Sequence, residues 1–313
     1  MHVPVLLDET IAALSPRRGG AYIDGTLGGG GHAEEILRRS EPDGMLLGFD
    51  RDGEAVERCR ARLAPFGRRF QAVHAPFSEM AAEARRVGFP APDGILLDLG
   101  VSSFQLDTPE RGFSFRADGP LDMRMDTSGG LTAAQFIDSF TGDPEGLASI
   151  FREYGEEPHA RRVARAILAE REKGPFSGTA HLAAVVERAL GGRRGSARHP
   201  ATRVFQALRI AVNDEFGQLK SALEIAISLL APGGALAVIS FHSLEDGIVK
   251  RALRSHEARQ ISLEQGGVRV EGAQPFVERI LRRAVSPADA EIAANPRARS
   301  AKLRAVRRLP DAA

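Results

Sequence analysis

The chain has 313 residues, of which 43% are apolar and 27% charged, with a net charge of +1. These proportions exclude fibrous and disordered classes and leave room for two domains, or for one large domain carrying an insertion. Cys59 is the only cysteine, which excludes an intramolecular disulfide and any cysteine-based metal site.

The first hundred residues alternate short apolar runs with helical patterns. Ala21-Tyr22-Ile23 reads as a strand that runs into Asp24 and then the glycines Gly28 to Gly31. A helix is expected over 32–39, a strand over 45–49 ending at Asp50, and a helix over 54–63. A strand over 70–73, a helix over 79–87 and a strand over 95–97 ending at Asp98 follow. Strand and helix alternating at this spacing make βαβ units and a parallel sheet covered on both faces.

The rhythm breaks after Gln105. Residues 106–130 are rich in Gly, Asp, Pro and Arg and read as an irregular loop. Helices follow without strands, over 132–140 (opened by a Thr132–Gln135 capping box), 144–154, 158–173 and 179–190. A long amphipathic helix over 202–230 stops at Pro232-Gly233-Gly234. The strand rhythm resumes at 235–240. A helix over 244–254 and a closing strand pair, 275–281 and 300–309, complete the chain. Ala301, Leu303 and Ala305 alternate with Lys302 and Arg304 in the last strand. The expected architecture is one α/β domain, residues 1–105 and 203–313, interrupted by a helical insert at 106–202.

Seven of the thirteen residues from Gly19 to Gly31 are glycine, placed between a strand and a helix. Glycine lets the backbone turn sharply and lets a ligand approach it closely. Two acids refine the reading. Asp50 ends the second strand, where a carboxylate can accept both ribose hydroxyls of a nucleotide-like cofactor. Asp24, just before the glycines, would repel a pyrophosphate and attract a cationic amine. S-adenosylmethionine carries a ribose, an α-amino group and a sulfonium, and no phosphate, so the pair favours it over a nicotinamide dinucleotide. The structural alternative for each acid is a turn-forming cap. Phe77, beyond the third strand at the same sheet edge, can cover an adenine face or simply fill the core.

Ligands of open α/β sheets bind beyond the carboxyl ends of the strands, so Asp98 should face the cofactor. The loop Arg111-Gly112-Phe113-Ser114-Phe115-Arg116, with Arg124 further on, alternates arginine and phenylalanine and can pair phosphates and stack bases. The alternative is an insert-packing loop held by ion pairs.

These stretches carry a resemblance. Residues 2–7, 24–32 and 98–105, the pattern from Arg111 to Asp126, residues 199–210 and 240–246, and the segment from Asn295 to Arg304 resemble the bacterial 16S ribosomal RNA cytosine-N4 methyltransferases, the RsmH or MraW family. The resemblance spans the whole chain. It implies a class I S-adenosylmethionine-dependent methyltransferase fold, a Rossmann-like α/β sheet, with a helical insert domain for substrate recognition. It implies methyl transfer to N4 of cytidine 1402 in the decoding region of small-subunit rRNA, with S-adenosylhomocysteine as the product. The cofactor contacts it implies are Gly30, Gly31, His32, Asp50, Phe77, Asp98 and Gln105, to which the charge argument adds Asp24.

The cytosine amine is a poor nucleophile, and an acceptor for its proton would help it react. Amino-methyltransferases often place an Asp/Asn/Ser-Pro-Pro-aromatic tetrad here, whereas this chain has Asp98-Leu99-Gly100-Val101. Asp98 or a nearby backbone carbonyl is the candidate acceptor, with Ser102, Ser103 and His242 behind it. The alternative for His242 is a position at the start of a helix capped by Ser243 and Asp246. No motif suggests a metal.

Candidate RNA contacts are Arg111, Phe113, Phe115, Arg116, Arg124, Arg193, Arg194 and Arg198, together with the tail from Arg297 to Arg308. From Gly247 onward there are 14 basic and 7 acidic residues, against 28 and 34 before it. A basic tail on an acidic body suits a polyanion partner, here 16S rRNA within the small subunit, and equally a solvated tail. The N-terminus has no basic stretch ahead of an apolar run, and Pro232-Gly233-Gly234 cuts the longest apolar stretch, so a cytoplasmic protein without a membrane span is expected. Monomer and homodimer stay open. A nicotinamide-dependent dehydrogenase and a non-catalytic RNA-binding assembly factor are the competing readings.

Overall fold

The computed structural model describes residues 4–192, 199–262 and 268–310. The chain divides into two compact units, Met1–Gly100 with Phe216–Ala313, and Val101–Glu215.

The first unit holds strands β1 (Ala21–Asp24), β2 (Met45–Asp50), β3 (Phe70–His74), β4 (Gly94–Asp98), β5 (Ala235–Ser240), β6 (Arg259–Ser262), β7 (Val268–Glu271), β8 (Val277–Arg279) and β9 (Lys302–Arg308). Seven of them form one sheet in the order β3-β2-β1-β4-β5-β9-β8, and β6 pairs with β7 separately. β1 to β5 are parallel, while β9 runs antiparallel to β5, and β8 antiparallel to β9. The Rossmann-like sheet expected of a class I methyltransferase is thus present, and its last strands are the expected closing pair.

Successive side chains point to opposite faces. Tyr22, Leu46, Leu96 and Ala237 pack on one side with the helices Leu7–Leu14, Gly31–Arg39 and Gly53–Leu63. Ile23, Leu47, Leu97 and Val238 pack on the other with Met80–Arg86, Glu215–Leu229 and Ser243–Ser255. Both faces are covered, which is why β4 and β5 read as unbroken apolar runs. Each fully buried aliphatic side chain contributes about 1.5–3 kcal/mol.

One expected helix is two. The stretch 202–230 forms Thr202–Asn213 and Glu215–Leu229, broken at Asp214, which takes the left-handed conformation (φ 46°, ψ 42°). Asn213 turns inward there: its Nδ2 donates to the carbonyls of Met123 (2.7 Å) and Arg209 (2.8 Å), and its Oδ1 accepts from Met125 N (2.8 Å). Arg209 and Glu215 pair across the break at 2.7 and 2.8 Å. Aspartate tolerates the left-handed conformation better than most residues, so the tether to the 123–125 loop outweighs helical continuity.

The second unit is built on helices, including Pro144–Gly155, Ala160–Arg171, Thr179–Leu190 and Thr202–Asn213, around a core of Phe113, Phe151, Val163, Ile167, Leu182, Val204 and Leu208. Thr202–Asn213 packs on Pro144–Gly155, where Gly155 lets the Arg203 backbone approach so closely that a Cβ would overlap it. By these contacts the unit runs from 101 to 215, wider than the 106–202 read from sequence. The Thr132–Gln135 capping box forms, with Thr132 Oγ1 accepting from Gln135 N at 3.1 Å. Among the described residues no helix is long and apolar enough to cross a membrane.

Candidate active site

Because β1 to β5 are parallel, their carboxyl ends share one edge, where Asp24, Asp50, His74, Asp98 and Ser240 end their strands. The glycine loop follows β1. Gly28 and Gly30 have φ of 51° and 76°, a region where a side chain is strained, and Gly30 sits at the start of the helix Gly31–Arg39. Cys59 lies under this loop, its Sγ 3.6 Å from the Gly28 carbonyl. Burial, followed by the charges of Asp24 and Asp50, pushes the thiol up to about 12, so it packs the loop and stays un-ionised.

Asp24 is only 1% exposed. Its Oδ1 accepts from the Thr26 amide (3.0 Å) and hydroxyl (3.4 Å). Burial raises its carboxyl to about 7, with Asp50 adding to the push and the Thr26 bonds opposing it. Asp50 accepts from Gly28 N at Oδ2 (2.8 Å) and from Asp52 N at Oδ1 (2.9 Å). Burial raises it to about 6, with these two amides and then Arg58 pulling back. A carboxylate oxygen has two lone pairs, so each Asp50 oxygen can still accept one hydroxyl.

Asp98 donates its backbone N–H to Thr26 Oγ1 at 2.6 Å. Its Oδ2 lies 3.6 Å from His32 Nδ1, and its buried Oδ1 has no hydrogen-bond partner among the described residues. Burial, then the charges of Asp24 and Glu245, push this carboxyl well above the usual range. His32 Nε2 is 3.1 Å from the Val5 carbonyl, an obligate acceptor, so Nε2 carries the proton and Nδ1 faces Asp98. Phe77 opens the turn beyond β3 and is partly buried. Gly25 lies beneath it, where a Cβ would sit 3.1 Å from Phe77 Cβ and overlap Leu97.

His242, rather than Ser243, is the cap of Ser243–Ser255: its Nδ1 accepts from Glu245 N at 3.4 Å. Its Nε2 stands 3.0 Å from Glu245 Oε1. Glu245 is buried, and its Oε2 accepts from Phe241 N at 2.9 Å. Sequence reasoning missed both Thr26 and Glu245. Thr26 joins the ends of β1 and β4 through one hydroxyl, and its signal was the Asp-Gly-Thr turn. Glu245 showed only as a carboxylate three residues past a helix cap.

In the second unit, Ser102 caps the helix Ser103–Asp107: Ser102 Oγ accepts from Gln105 N (3.2 Å) and Gln105 Oε1 accepts from Ser102 N (3.0 Å). Arg111 is buried, donating to the carbonyls of Arg124 (3.1 Å) and Met125 (2.9 Å) and lying over the Phe113 ring. Phe113 is core. Phe115 packs edge-on against Phe205 (4.7 Å) and beside His199 (4.6 Å). Arg124 grips Asp122 with two bonds of 2.8 Å. Arg116 is the member of this set left exposed. Arg193, Arg194 and Arg198 lie outside the described residues. In the tail, Arg304 grips Asp246 (2.7 and 3.0 Å), Lys302 joins it at 3.5 Å, and Arg308 donates to the Ser228 carbonyl at 3.2 Å. Much of the basic tail therefore serves the fold. Among the described residues no group of three or more His, Cys, Asp or Glu is placed to hold a metal.

A model of the MraW methylase family matches residues 1–309. Curated relatives share about half of the sequence over nearly its whole length. Proteins named ribosomal RNA small subunit methyltransferase H from Geobacter sulfurreducens and Syntrophotalea carbinolica are 51% and 50% identical. The alignments cover 98% of this chain and 99% and 98% of theirs. The protein of that name from Symbiobacterium thermophilum is 49% identical over 98% of this chain and 96% of its own.

Proposed function

This chain belongs to the MraW methylase family, and from that premise we propose that it transfers the methyl group of S-adenosylmethionine to the exocyclic N4 of a cytidine in 16S rRNA, cytidine 1402 of the decoding region. The observation that carries the proposal is the buried Asp98 Oδ1, without a hydrogen-bond partner among the described residues, together with two further carboxylates and a glycine loop at one sheet edge. That donor set suits a ligand bearing a cationic amine and ribose hydroxyls, and repels one bearing a pyrophosphate, which disfavours the dehydrogenase reading. When bound, S-adenosylmethionine supplies a methyl group already activated by its sulfonium.

The chain's own residues do the rest. Asp24 holds the amino group, Asp50 accepts the ribose hydroxyls, and Phe77 covers the adenine. Gly30, Gly31 and His32 line the loop, and Gln105 is assigned to the cofactor by the family resemblance. Asp98 is the acceptor for the proton that N4 gives up as its lone pair forms the new bond to carbon. The surroundings that raise the proton affinity of Asp98 fit that task. Ser102 and His242 are spent on helix caps, which leaves Asp98 as the better acceptor. The helical unit recognises the RNA, with Arg116 its exposed arginine in the 111–124 loop. The setting is the cytoplasm, and the substrate is the small subunit or its rRNA.

Nucleoside mass spectrometry tests the proposal. The protein is incubated with S-adenosylmethionine and small subunits lacking their methylations, and the rRNA is digested. New N4-methylcytidine is expected. Intact cofactor binding without a new methyl group would overturn the substrate, and loss of both would leave the assembly-factor reading.

A further inference from the structure

The helical unit contains a cavity of about 510 Å³ lined by Arg152, Pro158, His159, Ala160, Arg161, Arg162 and Arg165. None of these residues belongs to the cofactor site or to the basic residues singled out from sequence. The volume falls in the ~300–1,000 Å³ range of small-ligand pockets. Four arginines line it, and Glu145 answers only two of them, pairing with Arg152 at 2.8 Å and Arg161 at 2.5 Å. Among the described residues neither Arg162 nor Arg165 pairs with a carboxylate; Arg165 Nε donates instead to the Arg161 carbonyl at 3.3 Å.

This arrangement works against the fold that carries it. Arg161, Arg162 and Arg165 share one face of the first turns of Ala160–Arg171, a helix with no acidic residue in its first turn and no side-chain cap. Like charges at i,i+3 and i,i+4 repel, and cations at a helix N-terminus oppose its dipole. An anionic ligand reverses both penalties at once. Guanidinium forks match phosphate oxygens in pairs, and the helix N-terminus adds a partial positive charge.

We propose that this cavity, formed by Arg152, Arg161, Arg162 and Arg165, is a docking site for backbone phosphates of the substrate RNA, remote in sequence from the cofactor loop. The inference rests on the rRNA methyltransferase reading. It assigns RNA positioning to a face on which no base is read, so its contribution is sequence-independent and salt-sensitive.

The test uses the full chain carrying R162Q and R165Q together. The two arginines are exposed and, among the described residues, pair with no carboxylate, so the variant should fold with a thermal stability at or above wild type, as the like-charge repulsion is relieved, and its S-adenosylhomocysteine affinity should match wild type. Binding to small subunits lacking their methylations should weaken about tenfold near 0.1 M salt. The slope of log affinity against log salt should flatten by about 1.4–1.8, the loss of two phosphate contacts. The KM for subunits should rise with kcat unchanged. Lysine at both positions keeps the charge and loses the fork, so R162K and R165K should restore the salt slope and part of the affinity. A glutamine variant with wild-type RNA affinity and slope, from an enzyme that still methylates, would overturn the docking site alone. A wild-type enzyme that neither binds nor methylates subunits would overturn the function on which the site rests.

Discussion

The affinity of the cofactor site should depend steeply on pH, and the size of the effect follows from its carboxylates. Burial holds Asp24 at about 7 and Asp50 at about 6 in the empty protein. A cationic amine and two hydroxyl donors require both groups ionised. At pH 5, about two units below its pKa, Asp24 must give up a proton at ~2.7 kcal/mol, near 100-fold in affinity. Asp50, about one unit away, adds ~1.4 kcal/mol, or tenfold. S-adenosylhomocysteine should therefore bind up to about a thousandfold more weakly at pH 5 than at pH 8, releasing protons on binding in between. Isothermal titration calorimetry in buffers of different ionisation enthalpy measures both quantities.

Folding stability should move the other way. A carboxyl raised above its unfolded value of 3.8 binds protons more tightly in the folded state. The empty protein therefore loses stability as pH rises from about 4 through about 7. Asp24→Asn keeps an oxygen acceptor for Thr26 and removes the buried charge. It should raise the Tm of the empty protein at pH 8, weaken cofactor binding, and reduce the pH dependence to the tenfold share of Asp50. An affinity flat from pH 5 to pH 8 with no proton release would refute the reasoning, as would an Asp24→Asn enzyme that keeps the full wild-type pH dependence.

Asp50→Ala removes the acceptor for the Gly28 and Asp52 amides as well as for the ribose, and should weaken cofactor binding about 10- to 150-fold, at ~1.5–3 kcal/mol; unchanged affinity in a folded variant would remove Asp50 from the site. Gly25→Ala drives a methyl into Leu97 and Phe77, and such overpacking should cost about 1–3 kcal/mol of stability, read by denaturant unfolding, with weaker cofactor binding through the displaced Phe77. Phe151→Ala opens the core of the helical unit and should cost about 3–5 kcal/mol by the same measurement, while cofactor affinity at a temperature where the protein stays folded holds.

Much of this architecture is written locally. The βαβ rhythm appears in the sequence because both sheet faces are covered, so each strand is an apolar run between polar helical faces. The placement of Asp24, Asp50 and Asp98 at one sheet edge is legible for a related reason: each closes such a run, and parallel strands bring their carboxyl ends together. Other features depend on distant partners. Nothing near Asn213 announces that its amide will tie down Met123 and Met125 and break a helix at Asp214. Arg111 reads as a loop arginine, yet the carbonyls that hold it belong to Arg124 and Met125, beyond a turn that periodicity does not describe. Glu245 is invisible for the opposite reason, since it looks like an ordinary first-turn acid until β5 and the Phe241 backbone surround it. Similarly, arginine clusters look alike in a sequence, and only packing separates Arg304, clamped to Asp246, from Arg162 and Arg165.

The interruption of the sheet by the helical unit has a consequence for biosynthesis. β4 and β5 are neighbours in the sheet, yet well over a hundred residues part them in the chain. A ribosome adding ~5–20 residues per second takes roughly 7–27 s to cross that interval. Throughout it β4 presents a bare apolar edge of the kind that recruits wrong partners. The helices of the intervening unit find their partners within the same interval and can settle while they wait. β9, which lies between β5 and β8, comes almost last. The nascent chain thus completes the module proposed to grip its substrate before the sheet that carries its methyl-donor site can close.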